Sequence, residues 1–191
     1  MARKQKLKKG EYGYIDFKRR TQPLMVLFYI LIGLGIFGLG LLLNKFEKAN
    51  LFTIISFLFV LPAAKKLVNF IVFAPFRTIP LQLKQKVDTM KQKEDTIFYD
   101  AVFTSPEKIM FLSVICVAGN EVIGLLGRKK DSLDIIEKYL KESIKKRGWA
   151  YKITIVSQEK EFFKKLQSAD RKLIREEKEE LLDYLTSLLV E

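Results

Sequence analysis

From Pro23 to Leu43 the chain runs for 21 residues without a charged side chain. At about 1.5 Å per residue a helix of this length covers roughly 30 Å, the thickness of a bilayer's hydrocarbon core. The run is too long for the central region of a signal peptide, and Asn44-Lys45-Phe46-Glu47 offers no small-residue cleavage site, so it reads as a membrane-spanning helix. A second apolar run starts at Leu51. It reads as a second span over Leu51 to Phe73, kinked at Pro62, with Lys65 and Lys66 reaching to the headgroups along their own aliphatic stems. A span ending at Ala64, followed by an interfacial helix from Leu67 to Phe76, is the other reading of the same residues. Gly33, Gly35, Gly38 and Gly40 lie on the first span and leave room for the second helix to approach.

Charge sets the direction of this hairpin. Residues 1–22 hold eight Lys or Arg, the loop between the spans holds two (Lys45 and Lys48), and residues 65–93 hold seven. Cationic flanks stay on the cytoplasmic side, so both termini are expected in the cytoplasm and the protein in the plasma membrane as a multi-pass protein. Arg3, Lys4, Lys8, Lys9, Lys18, Arg19 and Arg20, interleaved with Tyr12, Tyr14 and Phe17, suit a leaflet of anionic headgroups, as do Lys65 and Lys66. The formal charge of +12 arises wholly in residues 1–87; residues 88–191 hold 19 cations and 19 anions. A neutral domain disfavours nucleic acid as the partner.

The stretches Lys9-Gly10-Glu11-Tyr12-Gly13-Tyr14-Ile15-Asp16 and Leu61-Pro62-Ala63-Ala64-Lys65-Lys66-Leu67-Val68-Asn69-Phe70 resemble those of uncharacterised two-span membrane proteins of Gram-positive bacteria. That resemblance implies the topology and no activity.

The remainder reads as a small cytoplasmic α/β domain over residues 95–191, joined to the hairpin (residues 23–73) by a linker over 74–94, of which Leu81–Glu94, rich in Lys and Gln, reads as linker or as a short polar helix, while residues 1–22 form a basic arm. Strands are expected at Ile97–Thr104, Lys108–Ala118, Glu121–Leu126 and around Tyr151–Ile155, giving a mixed sheet of about four strands. The run Lys108–Ala118 is apolar on both faces, as a central strand is. Ser132–Arg147 carries the stripe Leu133, Ile136, Leu140, Ile144 and ends at Gly148, which predicts a helix. Ser157 is placed to cap a helix bearing Phe162, Phe163 and Leu166. A last helix, Ala169–Val190, sets Ile174, Leu181 and Leu188 seven residues apart, with Leu185 between, and is expected to dock on the sheet. The order is βββαβαα.

This order is similar to the restriction-endonuclease-like core, whose nuclease members hold a divalent metal between an acid on one strand and Glu-x-Lys on the next. Asp100, within Phe98-Tyr99-Asp100-Ala101-Val102-Phe103, resembles the first acid. The next strand reads Leu112-Ser113-Val114-Ile115, without acid or lysine; the shifted pair Glu107 and Glu121 supplies two acids and again no lysine. The resemblance implies that fold with a decayed metal site, and the plain reading of Asp100 is a strand-edge carboxylate making a local hydrogen bond. Val122-Ile123-Gly124-Leu125-Leu126-Gly127 is similar to the V-I-G-x-x-G of KH domains, but Leu125 and Leu126 stand where a backbone-clamping loop would be.

Histidine is absent, which removes Ser-His-Asp and Cys-His catalysis and histidine-bearing metal sites. Cys116 lies inside an apolar run and reads as packing. The sequence thus describes a membrane-anchored, non-enzymatic binding or regulatory domain with no cofactor, whose partners are the bilayer and another protein, with self-association left open. A nucleic-acid-binding or degenerate nuclease-like module is the alternative.

Overall fold

The computed structural model of the chain describes residues 7–48, 50–105, 108–128, 131–171 and 177–190. It divides into two units, residues 16–75 and, together, residues 1–15 with 76–191.

In the first unit, helix α1 (Tyr14–Leu43) continues the apolar run back by nine residues, and α2 (Leu51–Leu58) and α3 (Val60–Phe73) follow the turn. Two helical stretches, Tyr14–Leu43 and Leu51–Phe73, are long and apolar enough to cross a membrane. Lys45 and Phe46 turn the chain in the left-handed region, at φ of 48° and 65°, and Asn50 caps α2 by accepting the Thr53 N–H at 3.0 Å. The helical run Leu51–Phe73 is interrupted at Phe59, three residues before Pro62. Pro62 has no N–H to give to the carbonyl of Leu58, so the break appears one turn earlier, where Phe59 bonds back to Ser56 at 3.2 Å in a tighter turn.

Gly33 and Gly40 are where the second helix comes close. A Cβ on Gly40 would lie 2.4 Å from the Phe52 Cβ, and one on Gly33 3.3 Å from the Ser56 carbonyl, whereas Gly35 and Gly38 have open space. The one-heptad spacing puts the two crowded glycines on one side of α1.

The second unit is a four-stranded sheet of β1 (Thr96–Thr104), β2 (Ile109–Ala118), β3 (Glu121–Leu126) and β4 (Lys152–Val156), in that spatial order. Its first three strands are antiparallel neighbours, and β4 joins β3 in parallel after crossing through α5 (Leu133–Lys145). Helices cover both faces. Ile136, Leu140 and Ile144 of α5 pack with Leu181 and Leu185 of α7 (Lys178–Leu188) on one face. Leu83 and Val87 of α4 (Leu81–Met90) pack with Phe162 and Leu166 of α6 (Glu159–Ser168) on the other.

Three expectations change. Of the two readings of residues 81–94 the helix is the one formed, and it does more than connect, because α4 buries Leu83 and Val87 in the core. Gln158, not Ser157, stands at the start of α6, without a side-chain capping bond. The last helix begins at Lys178, since Ala169–Arg171 is not helical and Arg171 is tied to Asp95 by two 3.0 Å bonds. Ile174 lies outside the described residues.

β1 and β2 share a paired irregularity. Phe98 faces the α5/α7 side and Tyr99 the α4/α6 side, yet Ala101 and Phe103 return to the α5/α7 side, so alternation reverses at Asp100. On β2, Leu112 and Ile115 face one side and Val114 and Cys116 the other, so it reverses at Ser113. Tyr99 pairs with Val114 and Ala101 with Leu112, which sets Asp100 opposite Ser113. Each strand carries an extra residue at the same level, so their mutual register survives while the register of β2 with β3 slips at Ser113. Asp100 takes the strain at φ 54°.

Candidate functional site

The turned-out carboxylate of Asp100 gathers three donors on one oxygen. Oδ2 accepts the N–H of Gly13 at 3.1 Å, the N–H of Ile15 at 3.2 Å and the hydroxyl of Thr78 at 2.6 Å. The two backbone donors belong to the start of α1, where N–H groups lack helical partners and the helix dipole favours a negative charge. Asp100 is thus the cap of α1, supplied from the sheet.

The strap leading into α1 runs along the free edge of β1. Gly10 accepts the Tyr99 N–H at 2.8 Å, and the Tyr12 hydroxyl donates to the Ile79 carbonyl at 3.0 Å. Tyr12 meets Tyr99 edge-on, and the Lys84 ammonium sits over both rings. The Tyr99 hydroxyl donates to Asp88 at 2.5 Å, and Lys84 pairs with the same carboxylate. Burial raises the Asp88 pKa, but the bonds from Lys84 and Tyr99 outweigh it and hold the carboxyl below its usual range; burial and the Asp88 bond push the Tyr99 phenol up. At the other end of β1, Val190 donates to Val102 at 2.9 Å and Leu189 bridges to Phe103. Both ends of the chain therefore close this edge.

The β4 edge is different. Lys152 donates to Asn120 at 2.9 Å, so Lys152 and Thr154 turn their backbone groups to β3, and Ile153 and Ile155 turn theirs away. The Ile155 N–H donates to Glu137 of α5 at 3.3 Å; among the described residues none pairs with the Ile153 N–H. Beside it a groove of about 860 Å³ runs between β4 and the second half of α5, flanked by Lys141, Lys145 and Lys152 and floored by Trp149 and Tyr151.

The weak acidic site suggested by sequence is dispersed. Asp100 is occupied as a cap. Glu121, opposite Ala118, pairs with Lys152 at 2.9 Å and stands five residues along β2 from the level of Asp100, roughly 17 Å away at 3.4 Å per residue. Glu107 lies outside the described residues. Asp100 makes long-range bonds rather than the expected local one. Gly124 lies within β3, where a Cβ would meet Ile155 at 2.6 Å, and a Cβ on Gly127 would fall 2.1 Å from the Phe111 ring, so these glycines serve close approach.

Among the expected surface cations, Arg3 and Lys4 lie outside the described residues. Lys8, Arg20 and Lys65 are exposed; Lys9, Lys18, Arg19 and Lys66 are half-buried, with Arg19 3.7 Å from Asp16. Just after β3, Arg128 forks onto Asp131 at 3.0 and 3.1 Å and stacks on Phe76. Cys116 is buried, and burial, then the nearby Asp95 charge, push its thiol up to about 12.

The strap on β1 and the groove on β4 were not foreseen in the sequence; the pair Tyr12 and Tyr99 was the nearest signal, and its partners are 87 residues apart along the chain. The class defined so far is an apolar helical pair with a three-layer α/β/α unit. No known protein family, curated protein or solved structure matches the chain.

Proposed function

We propose that this is an integral membrane protein whose helical hairpin anchors a cytoplasmic α/β domain, and that the domain acts by binding or regulating another protein without catalysing a reaction. One observation carries the anchoring. The Ile15 N–H and the Thr78 hydroxyl share one oxygen of Asp100, at 3.2 and 2.6 Å, so the last residue before the segment 16–75 and the third residue after it are held to within about 6 Å at these atoms. Packed helices run about 8–10 Å apart, so a domain with adjoining exit and entry points suits a two-helix anchor. The basic residues of the strap and of the inner end of the hairpin then meet anionic headgroups.

Single cysteines at Lys8, Glu47 and Ser187, all exposed, in a Cys116→Ser background test the topology. An impermeant maleimide should label position 47 in intact bacterial cells, and positions 8 and 187 only after lysis. Labelling of 8 or 187 in intact cells overturns the orientation. The nuclease-like form of the nucleic-acid reading rests on Asp100, Glu107 and Glu121, and the committed oxygen of Asp100 weighs against it. Salt-dependent binding of duplex DNA or RNA by the full chain in detergent, at micromolar protein, would restore it.

A further inference from the structure

Resting on the protein-binding reading above, we propose that the outer edge of β4 is the docking site, and that it takes an extended, acid-bearing segment of the partner as a fifth strand. The fold treats its two sheet edges unequally. On β1, Gly10 bonds to Tyr99, Val190 to Val102 and Leu189 bridges to Phe103, so the edge is covered from Tyr99 to Phe103. On β4, among the described residues, only the 3.3 Å bond from the Ile155 N–H to Glu137 covers it, a long bond that an incoming carbonyl replaces at ordinary distance.

The groove alongside gives the chemistry of the occupant. Lys141, Lys145 and Lys152 flank it against the single acid Glu137. Glu137 already pairs with Lys141, and Lys152 with Glu121, which leaves Lys145 exposed with no carboxylate partner among the described residues. Removing Glu137 from Ile155 keeps its pairing with Lys141, so the edge opens without stranding a charge. An added strand presents alternate side chains to this side of the sheet, and acids at those positions meet the lysines. A second copy of the chain is disfavoured, because pairing β4 with β4 would bring the two sets of lysines together. A single-stranded nucleic acid meets the cations but has no peptide groups for the edge.

Trp149 is the only tryptophan in the chain and lines the groove, so its fluorescence reports occupancy. The full chain in detergent is titrated with a short peptide alternating Glu and Val, with its Lys and Val counterpart, and with oligouridylate. The Glu peptide should change Trp149 emission saturably and slow hydrogen exchange at the Ile153 and Ile155 amides. Lys145→Glu should weaken its binding about tenfold, while Lys145→Arg keeps it. Equal binding of the Lys peptide, insensitivity to Lys145→Glu, or unchanged exchange at both amides overturns the proposal. Oligouridylate saturating the Trp149 signal overturns it in favour of nucleic acid, and a concentration-dependent dimer that protects the same amides overturns it in favour of a second copy. If the cysteine labelling gives the stated topology while the peptide gives no response, this docking site fails and the anchored-domain reading stands.

Discussion

The carboxylate of Asp100 accepts the N–H of Ile15 across 85 residues of sequence, and in doing so caps the helix that carries the first apolar run. Ordinary caps come from the residue just before a helix. Here the residue must reach from the middle of a strand, and the paired extra residues at Asp100 and Ser113 turn the side chain out without breaking the pairing of β1 with β2. The left-handed backbone of Asp100 is a conformation that Asp and Asn tolerate better than other side chains do.

Variants at Asp100 separate the cap from the backbone. Asp100→Asn keeps one carbonyl acceptor and should cost about 1 kcal/mol; Asp100→Gly keeps the backbone but orphans three donors, about 2 kcal/mol; Asp100→Ala adds left-handed strain, for about 3 kcal/mol or more. Thermal unfolding of the full chain in detergent gives the order. An alanine variant as stable as the wild type would mean that the strap is held by other contacts.

Because Ile15 and Thr78 meet on one oxygen, residues 16–75 should be replaceable by a short Gly-Ser linker, giving a soluble, cooperatively unfolding domain that retains the strap. A fragment starting at residue 95 lacks Ile79, Leu83 and Val87 and leaves the α4/α6 face of the sheet covered by α6 alone. It should aggregate or lose tertiary packing, as judged by dispersion of amide resonances. Comparable spectra from both would show that α4 and the strap contribute little.

The strands and the amphipathic helix α5 were legible because their patterns are local: Glu121–Leu126 is bounded by a Gly-Asn turn, and Leu133, Ile136, Leu140 and Ile144 repeat at helical spacing. The reversal at Ser113 was not, since a strand apolar on both faces looks the same in either phase. The sequence of α4 leaves linker and short polar helix open, because only Leu83 and Val87 among its lysines and glutamines face the core, too few to mark a stripe. The cap by Asp100 and the edge-covering strap depend on residues 85 and 87 positions apart, and no sequence periodicity spans that distance.

Arg171 forks onto Asp95, whose side chain is fully buried, and also donates to the Leu166 carbonyl at 2.7 Å. The bond from Asp95 holds the guanidinium pKa above its usual value. Arg171→Met leaves a buried carboxylate unpaired and should cost about 3–5 kcal/mol. Arg171→Met with Asp95→Asn should recover part of that loss. Chemical denaturation of the hairpin-excised domain measures both, and a double variant worse than the single one would contradict the pairing.

Alkali should weaken the domain through Cys116. The unfolded thiol ionises near 8.5, whereas the folded thiol stays neutral to about 12, so the stabilising effect is full below the unfolded pKa and declines between them. The loss approaches about 1.4 kcal/mol per pH unit within that window. Tyr99 acts in the same direction only above about pH 10, so the interval from about pH 8.5 to 10 isolates the thiol. Cys116→Val should flatten the stability profile over that interval; an unchanged slope would assign the effect elsewhere.

Gly38 and Gly40 distinguish helix propensity from helix contact. Alanine in a helix is favoured over glycine by about 1 kcal/mol, so propensity alone makes both Gly38→Ala and Gly40→Ala stabilising. The surroundings differ: Gly38 has nothing within 4 Å, while a Cβ on Gly40 would stand 2.4 Å from the Phe52 Cβ, which is fixed to the backbone of α2 and cannot rotate away. Forcing those helices apart should cost more than propensity returns, since overpacking typically costs 1–3 kcal/mol. With fluorescent labels at exposed Leu24 and Ile71, energy transfer during SDS titration follows separation of the two helices. Gly38→Ala should separate at or above the wild-type SDS fraction and Gly40→Ala below it. Equal behaviour of the two variants would show that α2 does not lean on α1 at Gly40.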